Sequence, residues 1–203
     1  MNDKFKDSSK YEAAHKANAV LGDVRDENGV RILGTKGQGD EILTTFEKAE
    51  SSEIDKLTGL LLRSEWEGRM DQHYKISKRE GKSFIIAMLD LDEFKLYNDT
   101  EGHQRGDEIL RKFGKSIRDR FRESDICGRY GGDEAIVMLT TSDLKENDIK
   151  SEQITVAKEL TNQTGAGVSV GMAKWDGISP LEVVIKAADD RLYHFKEFNR
   201  YEV

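Results

Sequence analysis

The sequence has one proline, Pro180, one cysteine, Cys127, and no apolar run longer than the six residues Phe84 to Leu89. A lone cysteine excludes an internal disulfide framework and a cysteine metal cage. Cys127, inside a strand-like stretch, reads as a small core residue of a protein from a reducing compartment. A six-residue run is far short of a membrane span, and Met1 is followed by polar residues instead of a signal sequence, so no membrane segment is expected. Positive charge is also outnumbered. The 32 Lys and Arg against 39 Asp and Glu leave a formal charge of -7, which argues against general nucleic-acid binding. With 36% hydrophobic and 35% charged residues, the composition is that of a soluble, helix-rich cytoplasmic protein. A chain of 203 residues suits one domain of ordinary size plus an extension.

Against this background stands Arg129-Tyr130-Gly131-Gly132-Asp133-Glu134, between the strand-like segments Ile126 to Tyr130 and Ala135 to Leu139. The pattern predicts a β-hairpin whose Gly131-Gly132 dipeptide supplies the positive φ values of a tight primed turn. Its tip carries two carboxylates, Asp133 and Glu134, which repel each other unless a cation joins them. Taken alone, such a turn is equally an exposed acidic loop.

Along the chain, residues 1 to about 20 give only a weak helical stripe, and Val24 to Gly34 place an Asn28-Gly29 turn between two β-prone segments. That hairpin is similar to the last strands of a PAS sensor domain, and equally to a stray hairpin or linker. Ile42, Leu43, Phe46, Ala49 and Ile54 predict a helix over 40–54, which either pairs with its copy or packs on its own domain. Asp55 and Thr58 have side chains that hold turns and cap helices, and a new helix runs from beyond Gly59 to about Arg79, stopped at Glu80-Gly81. Phe84 to Leu89 predicts a central strand covered on both faces. It ends in Asp90-Leu91-Asp92, so carboxylates arrive at a strand's carboxyl end, where open α/β sheets place ligand sites. Beyond it come Asn98-Asp99, a Gly-flanked loop from Gly102 to Asp107 and a helix to about Arg122. After the acidic hairpin follow a helix over 149–161, a strand over 168–173 and a last helix opened by Pro180. Helices and strands alternate around one antiparallel hairpin, without internal repeats.

Together these segments carry a resemblance. Residues 51–203 resemble the GGDEF domain of diguanylate cyclases, with the motifs in the family's order. They are Asp55-Lys56-Leu57-Thr58-Gly59-Leu60, Asp90 to Lys95 with Asn98-Asp99, Gly102 to Asp107, the acidic hairpin, Ser169-Val170-Gly171, and the closing Ala188-Asp189, Leu192-Tyr193, Lys196 and Arg200. The resemblance implies an α/β (α+β) fold with a central sheet of roughly five strands flanked by helices, similar to the palm of nucleotidyl cyclases and polymerases. Residues 1–50 are then an N-terminal extension, or the remnant of a sensor domain plus a linker helix. The implied activity is condensation of two GTP into cyclic di-GMP by a homodimer in the bacterial cytoplasm, with Mg²⁺ or Mn²⁺ as cofactor.

Hard divalent cations take oxygen ligands. Asp90 and Asp133 are the expected metal carboxylates, the Leu91 carbonyl is a further ligand by resemblance, and Glu134 joins Asp133 as a catalytic candidate whose acid–base role stays open. Guanine presents N–H donors on its Watson–Crick edge, so the Asp107 carboxylate suits it, and Asn98 offers both a donor and an acceptor. As isolated residues they read as an N-cap and a turn. Backbone N–H groups around Phe94 and Lys95, with the side chains of Lys196 and Arg200, are the expected phosphate contacts. The last two are equally ordinary cations at a helix C-terminus. Arg122 and Asp125 match the family's RxxD site for inhibitory product, and alone would be a surface salt bridge. Asp55 and Arg129 match the pair that ties the domain's opening turn to the hairpin, and His103 reads as a structural loop residue.

Ala135 stands where the family has Phe, Leu62 where it usually has Asn, and Asn199 where Gly is usual. Three readings follow. The first is an active diguanylate cyclase. The second is a catalytically degenerate domain that receives GTP or cyclic di-GMP, with Ala135 as its support. The third is a sensor fragment whose amino-terminal hairpin is the functional part.

Overall fold

The computed structural model describes residues 24–25, 31–36, 42–47, 53–140 and 144–200, and the chain divides into two compact units, Met1–Ser51 and Ser52–Val203. In the first unit, β1 (Val24–Arg25), β2 (Arg31–Lys36) and β3 (Ile42–Glu47) form an antiparallel sheet in that order. Val24 pairs with Ile32, as the predicted hairpin requires, while Asn28 and Gly29 lie outside the described residues. So do residues 1–20 and the weak helix expected there.

The helix predicted over 40–54 is replaced by β3, whose Thr44 pairs with Gly34. Ile42, Thr44, Thr45 and Phe46 are β-branched or aromatic, and such residues favour a pleated strand once a neighbouring strand offers a partner.

The second unit holds α1 (Arg63–Glu80), β4 (Ile85–Leu91), α2 (Phe94–Glu101), α3 (His103–Arg120), β5 (Ile126–Arg129), β6 (Glu134–Leu139), α4 (Glu146–Thr164), β7 (Val168–Lys174) and α5 (Leu181–Arg200). Its sheet runs β5-β6-β4-β7 with every neighbouring pair antiparallel. The expected count of roughly five strands becomes four among the described residues, and Leu61 adds only one parallel bridge to Gly128 at the β5 edge. Gly81 closes α1 with φ +66° and Gly165 closes α4 with φ +74°, both left-handed caps.

The segment after β4 differs from expectation. Gly102, at φ +85°, separates two helices, so α3 starts at His103 and the predicted loop is its first turn and a half. Asp107 therefore sits inside α3 and is not its N-cap.

Residue parity along β4 sorts the core. Ile85, Ala87, Leu89 and Leu91 join Ile109, Phe113 and Ile117 of α3 and Val156 and Leu160 of α4 on one face. Ile86 and Met88 join Trp66 and Met70 of α1 and Leu181, Val184, Ala188 and Leu192 of α5 on the other. Asp90 continues the second series, so it emerges on the α5 side. Glu134, its partner across β6, shares that side, whereas Ala135 is fully buried in the α3/α4 core. Gly171 on β7 completes the arrangement. A Cβ there would overlap the Ala188 carbonyl and the Leu192 backbone, and its absence lets α5 lie directly on the strand.

Candidate active site

Asp90, the sixth residue of β4, is 7% exposed, and one of its carboxylate oxygens is ion-paired with Lys196 Nζ from α5. Burial pushes its carboxyl up to about 6, against the hydrogen bond and charge of Lys196, and the neighbouring charges of Asp133 and Glu134 push the same way as burial. The next residue ties this strand end to the hairpin, since Leu91 N–H donates to the Asp133 carbonyl at 3.2 Å. Asp133, Glu134 and Asp90 thus meet at one end of the sheet. Among the described residues no three His, Cys, Asp or Glu side chains converge as a ready-made metal cage. The oxygen set is instead the Asp90, Asp133 and Glu134 carboxylates, close enough for their charges to act on one another but not closed into a cage. That suits a cation that keeps its own waters and shares a ligand's phosphates.

The hairpin is present, but its turn is not the predicted one. Neither Gly131 nor Gly132 has a positive φ, and Tyr130 and Gly131 both donate their N–H groups to the Glu134 carbonyl, at 2.9 and 3.2 Å. A Cβ at Gly131 would meet only the end of the Glu134 side chain, which can turn aside. The tip is held from one side by Arg129, whose Nε donates to the Gly131 carbonyl at 3.1 Å and Nη2 to the Gly132 carbonyl at 2.6 Å. Its Nη1 is paired with Asp55 Oδ1 at 2.9 Å. Asp55 also accepts the Thr58 N–H and hydroxyl, each at 2.8 Å. Burial alone would raise the Asp55 carboxyl; the Thr58 hydrogen bonds and the Arg129 charge outweigh it and hold the group below the usual range. The expected Asp55–Arg129 pair is therefore in place. Asp55 and Thr58 hold the turn, while the N-cap of α1 is Leu62, which makes no side-chain cap bond.

Phe94 and Lys95 open α2, whose N-cap is Glu93 in the left-handed region at φ +54° with no side-chain cap bond. The N–H groups of that first turn are left for an outside acceptor. Asn98 lies on α2 with its amide oxygen packed against Gly106 of α3, where a Cβ would overlap it. Asp107 follows immediately, half-buried, with Arg111 Nη2 at 3.7 Å. The two polar groups are thus brought to the same helix–helix junction. Lys196 lies in the last part of α5; Arg200 ends that helix, and its side chain is outside the described residues.

Two further links escaped the sequence reading. Ser169, the register partner of Asp90, donates its hydroxyl to Asp92 Oδ1 at 2.6 Å, and Asp92 N–H donates to the Gly167 carbonyl at 2.9 Å. These bonds pin the turn that leads from the Asp90 carboxylate into α2. Neither residue type at these positions signals that contact in one dimension.

On the far side of β5, Asp125 is spent on backbone donors, taking Arg122 N–H and Thr140 N–H at 3.0 Å each. The surface salt bridge that a lone RxxD suggests is absent, and the exposed Arg122 side chain lines a cleft of about 320 Å³ with Arg69, Arg118 and Asp125. Cys127 packs against the core, its thiol pushed up to about 12 by burial, as its reading as a core residue requires.

Comparison with known proteins now adds its own finding. Residues 52–201 match the family described as diguanylate cyclase, GGDEF domain. The chain is 35% identical over 167 residues to diguanylate cyclase DosC of Escherichia coli K12, covering 78% of this chain and 36% of that protein. It is 33% identical over 165 residues to the response regulator PleD of Caulobacter vibrioides, covering 76% of this chain and 36% of that protein. The crystal structure of the GGDEF domain of DgcB from Caulobacter crescentus, in complex with c-di-GMP, aligns with a TM-score of 0.65 at 26% identity, over 72% of this chain and 91% of that one. The chain thus spans about a third of the length of DosC and PleD. The mixed α/β fold, the order of motifs and these matches agree, and the chain belongs to the GGDEF family of diguanylate cyclase domains.

Proposed function

We propose that residues 51–203 form a diguanylate cyclase that joins two GTP into cyclic di-GMP, each chain of a homodimer presenting one nucleotide. The observation that carries this reading is the grouping at one end of the sheet of Asp90, the Asp133-Glu134 hairpin tip, Lys196 and the uncapped start of α2. In each of two steps the 3′-hydroxyl of one GTP attacks the α-phosphorus of the other. The bond to the β-phosphate breaks, pyrophosphate leaves and the hydroxyl proton is lost.

Asp90, Asp133 and the Leu91 carbonyl are the groups that would hold Mg²⁺ or Mn²⁺, which when bound supplies charge neutralisation and a more acidic hydroxyl. Glu134, across from Asp90, completes the acidic group. The N–H groups of Phe94 and Lys95 donate to phosphate oxygens, and Lys196 and Arg200 balance their charge. Asp107 accepts from the guanine N–H edge, where adenine would place an acceptor against it, and Asn98 reads the same base. A GTP-consuming enzyme belongs in the cytoplasm, and among the described residues no helix is long and apolar enough to cross a membrane. The binding-only reading rests on Ala135, which lies on the opposite face of β6 from Glu134.

Incubation with GTP and Mg²⁺, followed by chromatography, is expected to yield cyclic di-GMP from the parent and none from Asp133→Ala. No product from the parent at concentrations that force dimers would sink the proposal. Arg122 is assigned to inhibition by product in the cleft it lines. Arg122→Ala is expected to relieve product inhibition while leaving the initial rate intact, and unchanged inhibition would remove that assignment.

A further inference from the structure

We infer that Lys196 is a resident counter-ion of Asp90 that must swing away before a metal ion takes that carboxylate, so that nucleotide and metal bind as a coupled pair. The inference rests on the assignment of Asp90 as a metal carboxylate. A carboxylate as buried as Asp90, beside Asp133 and Glu134, is costly without a positive partner. The chain supplies one from its own α5, seated on β7 at Gly171.

The geometry also lets that partner leave. The Lys196 side chain is 31% exposed against 10% for Asp90, and it is a compact charge on a flexible four-carbon stem. An ammonium in contact with Asp90 Oδ1 neutralises the charge that would attract a divalent cation, and it repels the incoming ion from either oxygen. Nucleotide phosphates at the start of α2 give the ammonium another anion to pair with, and its transfer frees Asp90. Coupling of this kind is reciprocal: nucleotide tightens metal binding by the factor by which metal tightens nucleotide binding.

The test is Mn²⁺ binding to the full chain without nucleotide, read as free Mn²⁺ by electron paramagnetic resonance. Lys196→Met is expected to bind Mn²⁺ about tenfold more tightly than the parent, the scale by which one adjacent charge shifts a carboxylate. Equal or weaker binding by a variant that still unfolds cooperatively overturns the inference. A second measurement needs no variant. Saturating Mn²⁺ is expected to raise several-fold the rate at which an acetylating reagent modifies Lys196, read by mass spectrometry, and an unchanged rate overturns the inference too. Asp90→Ala separates the two claims. If it binds Mn²⁺ as well as the parent does, the metal assignment itself fails, whatever Lys196 does.

Discussion

Asp55 and Asp90 are both aspartates in ion pairs, one with Arg129 and one with Lys196, yet their carboxyls move in opposite directions. Asp55 sits among donors: a backbone N–H, a hydroxyl and a guanidinium all point at it. Asp90 has one ammonium, deeper burial and two like charges nearby. An ion pair alone therefore says little about what a charge does for stability. The count of donors against burial and like charges decides it. At the opening turn the charge stabilises the fold, and at the strand end the fold carries a charge at a cost.

The largest effect expected from this contrast is at Asp90. Its carboxyl holds a proton more tightly folded than unfolded, so the folded state takes up protons between the ordinary 3.8 and about 6. Stability consequently falls as pH rises through that window, by an amount on the order of 3 kcal/mol, and the deficit is complete above it. Asp90→Asn is expected to raise stability at pH 7 by up to that amount in urea unfolding, to flatten the pH 4–6 slope, and to abolish the proposed cyclase activity. A loss of stability would break the comparison. Asp55→Asn should do the reverse. Because the Asp55 carboxyl is held low, its contribution is present at neutral pH and disappears only as pH falls through its depressed value. Its replacement is expected to cost about 1.5–3 kcal/mol at pH 7, the scale of hydrogen bonds to a charged group. Asp55→Asn without a stability cost would show that the turn does not depend on that charge. The smallest effect lies on the same turn. Leu62→Asn gives α1 the side-chain cap it lacks and is expected to add about 1 kcal/mol, seen as a rise in thermal midpoint.

Much of this was legible in one dimension. The apolar run Phe84 to Leu89 announces a covered strand, and Gly81 and Gly165 end helices because only glycine takes those left-handed caps readily. The family motifs drew attention to Asp90, Asp133 and Lys196, but the direct Asp90–Lys196 contact emerges only once α5 is seen to cover the face on which Asp90 lies. Other features were hidden for physical reasons. Ile42, Leu43 and Phe46 have helical spacing, and only a partner strand reveals that Thr44 and Thr45 tip the balance to β. Gly102 to Asp107 is polar enough to pass for a loop, although five of its six residues are the start of α3. Gly131-Gly132 has the composition of a primed turn, but neither glycine takes a positive φ. The tip is shaped instead by Arg129, which holds both glycine carbonyls, and composition alone does not report that contact.

Gly171 offers a last consequence. It has no side chain and makes no bond to any reactant, yet it is the fulcrum on which α5 rests, and Lys196 sits one helical turn beyond the contact at Leu192. Even a methyl group there would collide with backbone that has no rotamer to yield, lifting the helix and with it the lysine's reach to Asp90. A residue with no reactive atom thereby sets how far a charge on another element can reach, so the site's geometry depends on a hydrogen atom at position 171.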